Sequence, residues 1–388
     1  SNPLYQESPM DVLIKEKPNL MINIAASPFS YAHPGNRITA LQKNCHAYHL
    51  PLFYVNHTGA QTELIFDGQS LVLDKDGQII DQLPAFAESV RIYDFNNLPT
   101  ASSQTYADKD TMQLIHDALI VSVSDYFTKS GFKKAVLGLS GGIDSALVCY
   151  LATQALGPEN VMAVLMPSAF SSDHSVSDAL ALVNNLGCKH QIIPINSAVD
   201  AFTSMMNPLF NDSTSGIAEE NIQSRCRMIT LMAMANKFGY VLLNASNKSE
   251  FAVGYGTLYG DMAGAISVIG DLYKTQVYQL CDYINKDKEV IPGNILTKAP
   301  SAELRPGQKD TDSLPDYAVL DQILFQYIEL KQNDQAIVAQ GFDPSIVKQV
   351  LKLVNSSEFK RLQAPPIVRI SPKAFGLGRR MPVVGTYA

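Results

Sequence analysis

The sequence predicts an α/β chain whose main part is a doubly wound parallel sheet. Three observations carry this. From about residue 135 onward, apolar runs of strand length alternate with segments of helical spacing. Those runs are apolar at nearly every position, as in strands covered on both faces. A glycine-rich turn, Gly138-Leu-Ser-Gly-Gly-Ile-Asp-Ser145, stands between the first of these strands and the next helix. In such sheets ligands bind at the carboxyl ends of strands.

Residues 1 to about 100 read as a separate, β-rich region. Leu20–Ile24, Pro51–Asn56 and Glu63–Phe66 are apolar runs of strand length, and Arg37–Tyr48 has helical spacing. Ser70–Asp74 and Gln78–Ile80 flank Lys75-Asp76-Gly77, a hairpin signal because Asp and Gly tolerate positive φ. Asn96–Gln104 is a cluster of turn formers and reads as a linker. Helix Asp110–Thr128 follows, with Leu114, Ile115, Leu119, Val121 and Tyr126 as its apolar stripe. Then come strand Ala135–Leu137, helix Asp144–Leu156, strand Val161–Met166, helix Ser175–Leu186, strand Gln191–Ile195, helix Ile217–Phe238 and strand Tyr240–Asn244.

Composition narrows the class. The 388 residues carry a net charge of −7 and are 46% hydrophobic, a globular balance sufficient for two or three domains and incompatible with disorder. No run approaches the ~18 apolar residues of a membrane span. Lys133-Lys134 and Arg379-Arg380 are the basic clusters, too little for a nucleic-acid binder. Cys45, Cys149, Cys188, Cys226 and Cys281 form no CxxC pair and read as reduced intracellular thiols, Cys149 and Cys226 as core. The chain opens Ser1-Asn2-Pro3 without a charged-then-apolar leader, so no signal peptide is read there.

The glycine-rich turn is an anion cradle by construction. Successive main-chain N–H groups and a helix N-terminus face one point, and Gly141 and Gly142 let the backbone approach it closely. Ser140 and Ser145 add hydroxyls. No Gly-Lys-Ser/Thr follows, so it is not a Walker loop, and it lacks GxGxxG spacing. Asn221 and Arg225, four apart at the start of a long helix, share a face that either grips a polar ligand or is merely solvated.

The loop resembles the pyrophosphate loop of the ATP pyrophosphatases, of adenine nucleotide hydrolase-like fold. Lys248-Ser-Glu-Phe-Ala-Val-Gly-Tyr255, Leu258-Tyr-Gly-Asp261 and Asp271-Leu-Tyr-Lys-Thr275 closely resemble the NAD synthetase family. So do Lys298-Ala-Pro-Ser-Ala-Glu-Leu304, Asp312-Ser-Leu-Pro-Asp-Tyr317 and Ser357-Glu-Phe-Lys-Arg361. Ala25-Ala-Ser-Pro-Phe29, Leu52–Asn56 and Gly59–Gly68 are similar to the second half of a nitrilase-type glutaminase domain, an α/β sandwich. Glutamine-dependent members of the family carry such a domain in front. The resemblance thus implies a partial glutaminase domain over 1–100 and a synthetase domain over 101–388.

It also implies a ligase that amidates deamido-NAD through an adenylate, releasing AMP and pyrophosphate. ATP and Mg²⁺ would take part, and ammonia would come from glutamine. By the resemblance Gly138, Leu139, Ser140, Gly141, Gly142, Ile143, Asp144 and Ser145 hold the pyrophosphate. Asp144 and Glu250 are the Mg²⁺ ligands, Lys274 meets the triphosphate, and Ser301 touches ATP. Ala245 stands where many members have a Thr touching ATP, leaving a backbone contact. Met166-Pro167-Ser168, at a strand end, meets the adenine or ribose. Asn221, Arg225, Glu250, Asp261 and Lys360 bind deamido-NAD, some of them in a neighbouring subunit's site.

Ser27 and His33 are remnants of the glutamine site, His33 standing where the family often has a Lys. The Glu–Lys–Cys triad of the glutaminase falls upstream of the residues given, and Cys45 is not its nucleophile. Ammonia-dependent synthesis alone is therefore expected of the chain as written. The setting implied is cytoplasmic and homo-oligomeric, without nucleic acid or membrane. The competing reading is another amidating ligase of the superfamily, GMP-synthetase-like, which shares the phosphate loop but not the Leu-Tyr-Gly-Asp and Asp-x-Tyr-Lys-Thr pair.

Overall fold

The computed structural model describes residues 8–98, 110–210 and 216–385. The chain divides into two compact units. One comprises Ser1–Ala60 with Leu64–Leu114, the other Gln61–Glu63 with Ile115–Ala388.

The first unit begins with a short helix α1 (Pro9–Leu13) and strand β1 (Met21–Ala25), then α2 (His33–Tyr48). Five strands follow: β2 (Leu52–Asn56), β3 (Thr58–Gln61), β4 (Leu64–Asp67), β5 (Leu71–Leu73) and β6 (Ile79–Gln82). The main sheet has the order β1-β2-β5-β6, with β1 parallel to β2 and the others antiparallel. Leu41 and Cys45 of α2 pack on Met21, Leu52, Tyr54, Leu71 and Leu73. The Asp-Gly hairpin is present: Gly77 has φ +75°, and the Asp74 carboxylate accepts from the amides of Asp76 and Gln78. The short helix α1 and strand β3 lack a clear period and were not predicted. Residues of the expected linker beyond 98 lie outside the described residues.

The second unit is built on a five-stranded parallel sheet. Its elements are α3 (Thr111–Ser130), β7 (Lys134–Gly138), α4 (Ile143–Leu156), β8 (Val161–Leu165), α5 (Asp173–Leu186), β9 (Lys189–Ile192), α6 (Asn196–Phe210), α7 (Ile217–Phe238), β10 (Tyr240–Asn244), α8 (Lys248–Val253) and β11 (Ile266–Ser267). The order is β11-β10-β7-β8-β9. Alternate residues of each strand face opposite sides. Val136, Val164 and Leu242 pack against Cys226, Leu231 and Ala235 of α7, while α4 and α5 pack on β7 and β8. The sheet is thus doubly wound.

Two expectations need correction. The strand placed at Gln191–Ile195 runs over Lys189–Ile192, although the Ile193 and Ile195 amides still donate to the Leu165 and Pro167 carbonyls at 2.8 and 3.1 Å. All four of its residues are exposed, since it is the sheet edge rather than a doubly covered strand. Helix α6 was not predicted. It buries no residue, and it contains Pro208.

Beyond β11 come α9 (Lys274–Ile284), α10 (Gly293–Thr297), α11 (Tyr317–Ile328), α12 (Asp334–Val338), α13 (Pro344–Ser356) and α14 (Glu358–Arg361). Leu320, Ile323 and Leu324 of α11 and Val347, Val350 and Val354 of α13 close a second core over Phe251 and Val253 of α8. This helical layer fixes α8 and α9, whose N-termini carry the chemistry described next.

Candidate active site

A cavity of about 720 Å³ opens at the carboxyl ends of β7, β8 and β10. Its floor is the glycine-rich turn. The Leu139 amide continues the ladder to the Val164 carbonyl at 2.9 Å, and the chain then turns into α4. Gly141 has φ +79°, and a Cβ there would stand 2.3 Å from the Ser175 carbonyl oxygen. Only glycine satisfies both demands. The hydroxyls of Ser140 and Ser145 brace the loop. Ser145 Oγ accepts from the Ser140 amide (3.2 Å) and donates to the Gly142 carbonyl (3.0 Å), and Ser140 Oγ accepts from the Gly142 amide (3.2 Å). Gly141→Ala is therefore expected to cost about 1–3 kcal/mol of stability through left-handed strain and the backbone clash. It should also weaken ATP binding at least tenfold (~1.4 kcal/mol). Thermal unfolding and nucleotide titration read the two effects.

Asp144 opens α4 and Glu250 opens α8. Asn247 caps α8 by accepting from the Glu250 amide at 3.0 Å, while the Glu250 carboxylate accepts from the Asn247 amide at 3.2 Å. The side-chain nitrogen of Asn247 donates to Asp144 Oδ1 at 3.1 Å, so one residue holds both carboxylates, that of Asp144 by its side chain and that of Glu250 by its main-chain amide. Lys274, at the first turn of α9, is 3% exposed. Its Nζ is bonded to Asp144 Oδ2 and lies 3.9 Å from Glu250 Oε1. Burial alone would lower its pKa, but the Asp144 and Glu250 carboxylates outweigh burial and hold it above the ordinary lysine value. Glu250 is pushed well up by burial and by the nearby Asp144 charge.

Asp310, not singled out by sequence, adds a third carboxylate to this electrostatic group. It accepts from the hydroxyls of Tyr255 (3.1 Å) and Tyr317 (2.9 Å), and Lys274 Nζ stands 5.4 Å from the centre of the Tyr317 ring. Among the described residues no group of three or more His, Cys, Asp or Glu side chains forms a cage for a metal ion. Two carboxylates that repel each other beside an anion cradle still fit Mg²⁺, which binds through one or two carboxylates together with substrate phosphates.

Asp321 of α11 aligns the two helix starts. It accepts from Ser249 Oγ and, at 2.8 Å, from the Thr275 amide; Ser249 Oγ in turn accepts from the Lys274 amide at 2.9 Å. The residues beside Glu250 and beside Lys274 thus share one buried carboxylate.

The far end of the cavity holds Asn221, Asp261 and Lys360. Asn221 accepts from Thr257 Oγ1 at 2.7 Å. The Asp261 carboxylate accepts from the Thr257 amide (2.7 Å) and Ser224 Oγ (3.1 Å). Lys360 Nζ donates to the carbonyls of Gly254 and Gly256 at 2.7 and 2.8 Å. Ala245 and Ser301 also line the wall, Ser301 with its hydroxyl donated to the Gln308 carbonyl at 2.6 Å.

Three expected residues are not on that wall. Arg225 donates to the Leu258 carbonyl at 3.3 Å, and Arg227 lines the cavity in its place, its Nε on the Met166 carbonyl at 3.2 Å. Met166 and Pro167 line it but Ser168 does not, because its amide and hydroxyl close a turn with Ser171 and Phe170. Gly141 is turned toward Ser175. Sequence reading also passed over the Lys298–Glu303 ion pair (2.7 Å), which ties the loop bearing Ser301 to Ser175 and Ser172 at the start of α5. The motif Lys298–Leu304 held both residues, so the signal was present. In the first unit, the Ser27 amide donates to Asn56 Oδ1 at 2.9 Å, and the His33 side chain lies outside the described residues.

A glycine-rich phosphate cradle at a parallel-sheet switch point, facing two carboxylates and a buried lysine, defines an ATP pyrophosphatase-type domain. The family described as NAD synthase matches residues 115–364. A glutamine-dependent NAD(+) synthetase of Synechocystis sp. is 47% identical over 387 residues, 99% of this chain and 69% of the relative. One of Acinetobacter baylyi is 42% identical over 363 residues, 92% of this chain and 67% of the relative. The solved glutamine-dependent NAD+ synthetase of Acinetobacter baumannii, a complex with ADP, is 38% identical with a TM-score of 0.72. That match covers 97% of this chain and 69% of that one. The chain belongs to the NAD synthase family, among its glutamine-dependent NAD(+) synthetases.

Proposed function

We propose that the second unit amidates deamido-NAD to NAD at the expense of ATP, releasing AMP and pyrophosphate. The observation that supports this most is the cavity itself. It has a phosphate cradle with Lys274 at one end and Asn221, Asp261 and Lys360 at the other, 138 to 360 in sequence but in one volume.

A carboxylate is a poor acyl donor, so the nicotinate carboxylate first takes the α-phosphoryl group of ATP, with pyrophosphate leaving. Ammonia then attacks the activated carbonyl and AMP departs. The turn Gly138–Ser145, with the amides that its own hydrogen bonds leave free, binds the departing phosphates, and Lys274 neutralises their charge from a fixed, dehydrated position. Asn247 and Asp321 keep Asp144, Glu250 and Lys274 in register. Mg²⁺, held by Asp144 and Glu250, would supply further neutralisation of phosphate charge. Asn221, Asp261 and Lys360, with Arg227, orient the dinucleotide, and Arg225 serves a contact outside this cavity.

The finer domain reading is that residues 1–100 are the C-terminal part of a nitrilase-type glutaminase domain, with Ser27 and His33 at its glutamine site, ahead of a synthetase domain over 101–388. The mixed sheet backed by α2 supports it. Five buried free thiols fit a reducing cytoplasm. Among the described residues no helix is long and apolar enough to cross a membrane. Phe202, Met205 and Leu209 of α6 with Ile229 and Phe238 of α7 are exposed apolar side chains that fit a homo-oligomer.

The test is AMP release with ATP, Mg²⁺ and ammonium chloride, varying deamido-NAD alone. AMP and NAD are expected to form one for one and only with deamido-NAD. AMP release indifferent to deamido-NAD would overturn the reading.

A further inference from the structure

A second cavity, of about 490 Å³, shares no lining residue with the first. It lies between the end of α11, the turn after it and the C-terminal segment that carries Arg379-Arg380. Lys331, Lys373, Arg379 and Arg380 line it, and among the described residues no carboxylate does. In a chain of net charge −7 this concentration of cations has no compositional cause.

The cations are held in place by the fold. A Cβ on Gly378 would stand 2.4 Å from the Ala374 carbonyl oxygen, so glycine lets the segment turn back and present the two arginines. The Arg379 guanidinium lies 5.5 Å from the Tyr327 ring centre and 5.9 Å from that of Phe375. Aromatic faces attract the charge but accept no conventional hydrogen bond. Arg379 Nη1 is buried and has no hydrogen-bond partner among the described residues. A buried guanidinium N–H left over is costly unless an acceptor is brought to it.

Of three nearby acids, two are engaged elsewhere and one, Glu63, acts on the pocket's own Arg380. Glu329 is paired with Lys248 at 2.8 Å. Glu358 takes the Arg361 guanidinium and the Met381 amide. Glu63 lies within the electrostatic reach of Arg380. Burial, followed by the charges of Lys331, Arg369 and Arg379, lowers the pKa of Lys373, as crowding of like charges requires.

We infer that this pocket binds a phosphate-bearing anion, its charge met by Lys331, Lys373 and Arg380 and one oxygen by the unpartnered Nη1 of Arg379. Arginine forks and lysine ammonium groups suit phosphate oxygens. The volume admits pyrophosphate or a small phosphate ester.

The experiment is calorimetric titration of the full chain with sodium pyrophosphate, and separately with inorganic phosphate. Two sites per chain are expected for pyrophosphate, one in the larger cavity and one here. Lys373→Gln, at a half-exposed position, should leave the fold intact by circular dichroism and weaken one site at least tenfold. ATP binding should stay unchanged. Arg379→Lys, which keeps the charge and removes the fork, should weaken the same site. Raising salt from about 50 to about 500 mM should weaken it as well.

Pyrophosphate binding in which no site, whatever their number, is weakened by Lys373→Gln would refute the inference. So would salt-sensitive self-association of the parent chain through this face without a second pyrophosphate, which would assign the pocket to an acidic protein surface. Inorganic phosphate binding here as tightly as pyrophosphate would show that one phosphoryl group suffices. Because binding is read rather than turnover, the outcome is independent of the synthetase reading.

Discussion

Asp144→Ala is expected to reduce AMP and pyrophosphate formation at least about a thousandfold, some 4 kcal/mol of transition-state stabilisation. Asp144 has two partners and a place beside the phosphate cradle. Its Oδ2 holds the Lys274 ammonium and its Oδ1 takes the Asn247 amide, while its position at the start of α4 sets it beside the phosphate cradle. Without it, Lys274 keeps only the Glu250 oxygen 3.9 Å away, and the site loses one of the two carboxylates suited to Mg²⁺. Stability should also fall, because the buried Lys274 loses its nearest carboxylate, so activity is compared well below the variant's unfolding midpoint. Coupled AMP release with ammonium chloride and deamido-NAD measures the loss. A variant that still makes NAD at the parent rate would remove Asp144 from the chemistry.

Lys248→Met should produce the largest loss of stability without direct contact with the reacting groups. Lys248 is fully buried. Its Nζ is paired with Asp271 at 2.9 Å and Glu329 at 2.8 Å, donates to Ser371 Oγ at 2.8 Å, and lies 4.7 Å from the Tyr273 ring centre. Methionine preserves the volume but leaves two carboxylates in the interior without their cation. Breaking one partner of a buried ion pair costs about 3–5 kcal/mol. At about 2–3 °C per kcal/mol, the unfolding midpoint should fall by roughly 6–15 °C. Adding Asp271→Asn should recover part of the loss, since it removes one of the stranded charges. Calorimetry of the parent and both variants decides it; equal midpoints for Lys248→Met and parent would show that the network is not holding this layer together.

That network also shows where sequence reading succeeded and where it failed. Lys248 and Asp271 sit inside motifs quoted for chemistry, yet both point away from the cavity. Their motif neighbours Glu250 and Lys274 point into it. Lys248 and Glu250, two apart on α8, face different directions, and Asp271 lies before α9 begins; only the packed helical layer says which side chains enter the cavity. The same holds along α7, where Arg227 lines the cavity and Arg225 does not, a difference that spacing alone does not show. Asp310 was missed because a carboxylate on a single short turn carries no period, and the Lys298–Glu303 pair because the motif that holds both residues does not say which of its side chains meet.

The strands and helices of the parallel sheet were legible because doubly covered strands are apolar runs and their helices alternate with them. β9 and α6 were misread for the opposite reason. An exposed edge strand and a helix with no buried residue lack the pattern that burial imposes. The basic pair Arg379-Arg380 was visible as composition and uninformative as such. Its pocket exists because Gly378 turns the segment back under Tyr327 and beside Lys331, almost fifty residues earlier in the chain.

By itself, then, the sequence determined most element types of the nucleotide-binding unit as far as β10, the parallel character of its sheet and the phosphate turn. These depend on local dihedral preference and on periods of 2 and 3.6, which neighbouring residues impose on one another. The tertiary structure alone decided which motif side chains share the cavity, and that Asn247 and Asp321 hold Asp144, Glu250 and Lys274 together. It also decided that a second, cationic pocket exists. Each of these requires residues tens to hundreds of positions apart to meet, and their energies arise from burial and from charges brought close, neither of which a linear string contains.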